Sequence, residues 1–313
     1  MSIADCDTWR LCGCYNETMR KLFAFLRHRP AVTIAVIFVV MCISAYILDI
    51  VVWQSPQRVF WGALQADMGL SGVDCTVSKQ SGGSSSQQSI WLDLAGKQNT
   101  LVTTTLSQNG STVTTEDINT KVADFIRYVS VTTSAKDKSG KRPDTSKIIN
   151  VWAKQPRTPD SQPMLGKVAL GGCIVPLVDI SKGQQAKLMA GLTKDNVFWT
   201  NFAASKWHWR SLAPYREYTV KVDPAGYIPF MKQADAVYGT KALSSVQAAS
   251  YLNQPSAQLV FRIGAQSHRI QKISYIGRQQ SFSFSHYGER PDTTAPNQTI
   301  SIGELQKRLQ ALR

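Results

Sequence analysis

The pattern of apolar and polar positions divides this chain into parts with different periods. Its longest feature is an uninterrupted apolar run from Ala31 to Trp53. The run has no polar stripe, and its length matches the roughly 20 residues a helix needs to cross a hydrocarbon core of about 30 Å. This predicts one transmembrane helix over 31–53. The run is longer than the ~7–15-residue apolar core of a signal peptide, and no Ala-x-Ala cleavage site follows it. Arg10, Arg20, Lys21, Arg27 and Arg29 precede it, whereas only Arg58 follows before Lys79. Basic residues beside a span stay in the cytoplasm. The expected organisation is therefore a cytoplasmic segment at 1–30, a single-pass signal-anchor at 31–53, and an extracytoplasmic domain at 54–313. Asp49 is the one acid in the run, and a membrane-embedded polar group is by default a functional candidate.

Beyond the run the period changes. Pro56 opens a helix whose apolar positions Val59, Phe60, Ala63 and Leu64 recur at helical spacing until Gly69. Strands are predicted at Gly72–Lys79, Ile90–Leu94, Thr100–Leu106 and Thr112–Thr115, with Asn109-Gly110 as a hairpin turn and Ser81–Ser86 as a flexible tip. Phe125–Thr133 and Ile148–Ala153 read as further strands flanking a basic loop. Helices are predicted at Gly183–Leu192, Asp195–Trp207, 228–238 and 244–253. Alternation at Glu217–Val222, Leu259–Ile263, Arg269–Ile276 and Ser281–His286 marks a second strand series. Ser301 with Glu304 forms a capping box for a last helix carrying Ile302, Leu305, Leu309 and Leu312. The expected fold class is α+β, a transmembrane helix followed by a large antiparallel sheet packed with helices.

The tail carries a resemblance. Ile273-Ser-Tyr-Ile-Gly, Phe282-Ser-Phe-Ser-His-Tyr-Gly-Glu, Ala295-Pro and Ile300-x-x-x-Leu-x-x-x-Leu resemble the end of LolA/LppX-type carrier domains. The likeness lies mainly in residues 255–313. It implies an incomplete β-barrel closed by helices around an apolar cavity, and carriage of lipids or lipoproteins. Those carriers are soluble or held by a lipidated cysteine; the anchor expected here departs from that pattern.

Charge and cysteines refine the picture. The chain holds 35 Lys+Arg against 21 acids, a formal net charge of +14. With the charge placed outside the cell, anionic wall polymers, glycans or lipid headgroups become the expected partners, and nucleic acid does not. The bases are scattered over a solvated surface apart from Lys136, Lys138, Lys141 and Arg142. Cys6, Cys12 and Cys14 fall in the reducing compartment and Cys42 in the apolar run, which leaves Cys75 and Cys173 as a disulfide candidate.

Catalytic signatures are missing. No nucleophile elbow, phosphate-binding loop or His-Glu-x-x-His occurs, and His28, His208, His268 and His286 are not at ligand spacing. No enzyme activity, metal or cofactor is expected. The constellation that stands out is aromatic: Phe198, Trp199, Phe202, Trp207, Trp209 and Tyr215, interrupted by Lys206, His208 and Arg210. Phe198, Trp199 and Phe202 fit one buried helix face. Trp207-His208-Trp209 would share a face only on a strand, where the two indoles suit a surface or cavity-mouth contact. Trp199, Phe202, Trp207, His208, Trp209 and Tyr215 are therefore the ligand-binding candidates. Two functions follow as expectations. One is a membrane-anchored binding module that takes an apolar ligand, such as a lipid or acyl chain, in a half-barrel cavity. The other is an interaction protein of the cell envelope that binds anionic surface polymers and has no cavity.

Overall fold

The computed structural model describes residues 30–48, 55–95, 99–134, 140–157, 169–170, 173–194, 197–209 and 214–312. The chain divides into two units, Met1–Ser55 and Pro56–Arg313. In the first, helix α1 runs Pro30–Leu48, 19 residues with Ile34, Phe38 and Met41 exposed. Among the described residues no helix is long and apolar enough to cross a membrane. The expected transmembrane helix is corrected accordingly, and with it the single-pass and signal-anchor assignments. At 1.5 Å per residue the 19 residues of α1 reach about 28 Å, against a hydrocarbon core of about 30 Å. Asp49, Trp53 and the basic flank from Arg10 to Arg29 lie outside the described residues.

The second unit is built on a 13-stranded sheet. Its strands are β1 Gly72–Ser81, β2 Ser84–Asp93, β3 Thr100–Gln108, β4 Ser111–Asn119, β5 Ala123–Thr132, β6 Ala153–Pro156, β7 Phe198–Thr200, β8 Lys206–His208, β9 Tyr215–Val222, β10 Ala257–Gly264, β11 Ile270–Tyr275, β12 Gln280–Ser285 and β13 Ile300–Ser301. The order is β13-β6-β5-β4-β3-β2-β1-β12-β11-β10-β9-β7, with β8 also on β9. The sheet is mixed, not antiparallel as expected. β13 lies parallel to β6, pairing Ile300 with Ala153 and Ser301 with Lys154. No tight turn links these two strands, so direction is set by where the returning chain arrives, which alternation does not encode.

Two hairpins show how local sequence builds the first half. Gly82 and Gly83 take φ of 51° and 81°, and Asn109 and Gly110 take 52° and 73°. Two successive positive φ values give the turn whose twist matches paired strands. Ser84–Ser86, expected as part of a flexible tip, belong to β2 and pair with Gln108, Ser107 and Leu106.

Helices α2 Pro56–Asp67, α3 Lys182–Lys194 and α4 Pro224–Tyr238 pack with β1, β2 and β9–β12 in one continuous core. Helix α2 buries Val59, Phe60, Ala63 and Leu64, the stripe its spacing predicts, and Asp67 with them. Phe60 sits among Phe202, Tyr218 and Phe261, with ring centroids 5.3–5.8 Å away. The disulfide between Cys75 of β1 and Cys173 fastens the segment before α3 to the sheet across 98 residues, with Cα atoms 6.9 Å apart. Helix α5 Ile302–Gln310 covers a second core at the other end, where Leu305 meets Ile148 and Ala153. Of the strand expected at Ile148–Ala153 only Ala153 enters β6; the Ile148 and Ile149 N–H groups instead donate to the Thr145 carbonyl in a turn, at 3.1 and 3.2 Å.

Candidate binding surface

The helix expected at Asp195–Trp207 does not exist. The segment forms β7, a 3-10 turn at Phe202–Ala204 and β8, all laid against β9. The open edge of β9 offers backbone partners that outweigh the helical spacing of three aromatic side chains, which propensity alone would favour only weakly. Asn201 marks the transition: its side chain accepts from the Ala203 N–H at 3.1 Å and caps the 3-10 turn.

This arrangement separates the six candidates. Phe202 packs into the core beside Phe60 and Tyr218. Trp199, 60 % exposed, pairs across the strands with Lys221 and borders a shallow groove of about 310 Å³ with Lys221, Asp223 and Ser256. The other four meet on β8–β9. There Trp207 lies opposite Arg216 and His208 opposite Tyr215, so the two pairs occupy opposite faces.

On the face shared with buried Tyr218 and Val220, three planar groups form a stack. Trp207 and Trp209 are parallel, with centroids 4.6 Å apart and planes at 21°. The Arg216 guanidinium carbon stands 4.5 Å from the Trp207 centroid. Trp207 is thus held between a cation and a second indole, and Trp209, 55 % exposed, forms the outer layer. Burial draws the Arg216 pKa down, with the Tyr218 hydroxyl acting against that shift.

The opposite face carries a second stack. His208 and Tyr215 are parallel at 4.6 Å and 14°. Arg262 of β10 covers Tyr215 at 5.1 Å and donates through Nε to Glu217 at 3.3 Å. The His208 Nε2 atom is buried with no hydrogen-bond partner among the described residues. Rings backed by cations present flat apolar faces with positive edges, a surface suited to sugar rings that carry acid groups.

Reading the sequence missed Arg216, Glu217 and Arg262 as parts of these stacks. The signal was available, since strand alternation extends back from Glu217 to Tyr215 and puts Arg216 in register with the indoles. Arg210, one of the expected interruptions, lies outside the described residues. Among the described residues no group of three or more His, Cys, Asp or Glu side chains is placed to hold a metal ion. No family model matches the chain, and no curated protein matches it.

Proposed function

We propose that the second unit, Pro56–Arg313, is an extracytoplasmic binding module that meets its partner, an anionic glycan of the cell envelope, on its surface. The observation that carries this reading is the Arg216–Trp207–Trp209 stack, whose outer indole faces solvent. An exposed ring kept flat by a stack loses little freedom on binding, which favours a stacking ligand. Placement outside the cytoplasm rests on the Cys75–Cys173 bond, since persistent disulfides belong to oxidising compartments.

Surface binding is favoured over an enclosed apolar ligand by two features. A carrier cavity needs apolar walls, yet Phe60, Leu64, Leu188 and Phe261 are fully buried within one core. One open groove, of about 500 Å³, is lined by polar side chains that include Ser78, Gln87, Thr105 and Arg278.

The test is a titration of the full chain with polygalacturonate, followed by tryptophan fluorescence, with dextran as the uncharged control. Trp209→Ala should weaken polygalacturonate binding by about five- to tenfold, the worth of one aromatic stack. Unchanged affinity in that variant would sink the reading. So would native mass spectrometry that finds a lipid bound to the purified chain and lost only on unfolding.

A further inference from the structure

A basic groove lies at the other end of the strand order, where β6 and β13 meet. Residues 141–147 form one wall and α5 the other, around a volume of about 1080 Å³. Five cationic side chains line it (Lys141, Arg142, Lys147, Lys307 and Arg308) against two carboxylates, Asp144 and Glu304.

The carboxylates are already engaged. Glu304 accepts from Arg308 Nε at 3.1 Å, and Arg308 Nη1 donates to the Lys147 carbonyl at 3.1 Å, tying loop to helix. Asp144 accepts the Ser146 N–H at 3.0 Å, which holds its carboxyl below the usual range, with Lys147 adding to that shift. Beneath the groove, Ile148 and Leu305 are each 1 % exposed in a shared core, so both walls stand on packed side chains. Arg142 and Lys307 are exposed and make no ion pair among the described residues. Two anchored walls with a surplus of outward cations make a ready site for anionic groups.

We propose that this groove binds the acid groups of a linear anionic glycan, as a second site apart from the aromatic stack. The inference deepens the function proposed above and names where the charge of that partner is read. A glycan is preferred to nucleic acid because the disulfide points to an oxidising compartment. The two sites lie toward opposite ends of the sheet order, so a long polymer, not a small anion, is the ligand that engages both.

The experiment measures binding of the full chain to polygalacturonate between 50 and 300 mM salt. A glycerol-phosphate polymer is run beside it to separate phosphate from carboxylate recognition. Arg142→Gln with Lys307→Gln should lower affinity by about tenfold at low salt and flatten the salt dependence. The charge-preserving pair Arg142→Lys and Lys307→Arg should restore most of it. Trp209→Ala should leave the salt dependence unchanged. A double Gln variant that binds with wild-type affinity and salt dependence overturns the groove, and does so even if Trp209→Ala weakens binding and the stack survives. The converse result, loss in the groove variant alone, keeps this site and removes the stack. Equal affinity for a DNA duplex of matched charge would overturn the assignment to a glycan.

Discussion

Asp67 offers the sharpest quantitative prediction. It lies in the last turn of α2, fully buried, and neither carboxyl oxygen has a hydrogen-bond partner among the described residues. Arg269 Nη1 stands 3.9 Å from Oδ1, but that side chain donates at 2.8 Å to the Ala66 carbonyl. Burial therefore outweighs the cation and pushes the carboxyl up to about 8. The folded chain holds this proton more tightly than the unfolded chain does. The stability it confers is present in full below about pH 4 and is lost as pH climbs toward 8. The slope is about 1.4 kcal/mol per pH unit within that window. Between pH 5 and pH 7 the loss is about 2.7 kcal/mol. Asp67→Asn removes the titration while keeping the shape. Because the amide is also buried without a partner, the quantity to compare is the change with pH, not the absolute stability. Urea unfolding of wild type and variant at pH 5 and pH 7 measures it. The wild type should lose about 2.7 kcal/mol more than the variant over this interval. Parallel losses, within about 0.5 kcal/mol, would refute the claim that this carboxyl is neutral in the fold.

Three further outcomes are expected. Cys75→Ala with Cys173→Ala opens a loop of 98 residues and should cost up to about 4–5 kcal/mol in the chain-entropy account, read as a lower urea midpoint that reductant no longer shifts. Gly72→Ala places a methyl group 1.9 Å from the Glu289 carbonyl oxygen and 3.0 Å from that of Leu92. Backbone must move to admit it, so thermal unfolding should report a loss of about 1–3 kcal/mol. Phe60→Ala empties the centre of the Phe202–Tyr218–Phe261 cluster and should cost about 3–5 kcal/mol by the same measurement.

The sequence by itself determined those elements whose cause is local. Val59, Phe60, Ala63 and Leu64 specify the buried stripe of α2, because helical spacing puts them on one side whatever lies opposite. Phe282 and Phe284 turn inward and Ser283 and Ser285 outward, since a strand has a period of two. Asn109-Gly110 needs only its own backbone freedom, and Ser301 with Glu304 only its own hydrogen bond, to make a turn and a cap.

Tertiary structure decided what depends on distant partners. The aromatic segment follows a helical spacing yet becomes β7 and β8, because the edge of β9 supplies hydrogen bonds that no local pattern records. The same pairing brings Arg216 onto Trp207, and Arg262 comes onto Tyr215 from the next strand, so the two stacks of the candidate surface exist only once β8, β9 and β10 are in register. Strand direction at β13, the raised carboxyl of Asp67 and the basic groove under α5 share that origin. Each depends on which residues the fold brings within a few ångströms of one another, and contact across a hundred residues or more is not written in any local period.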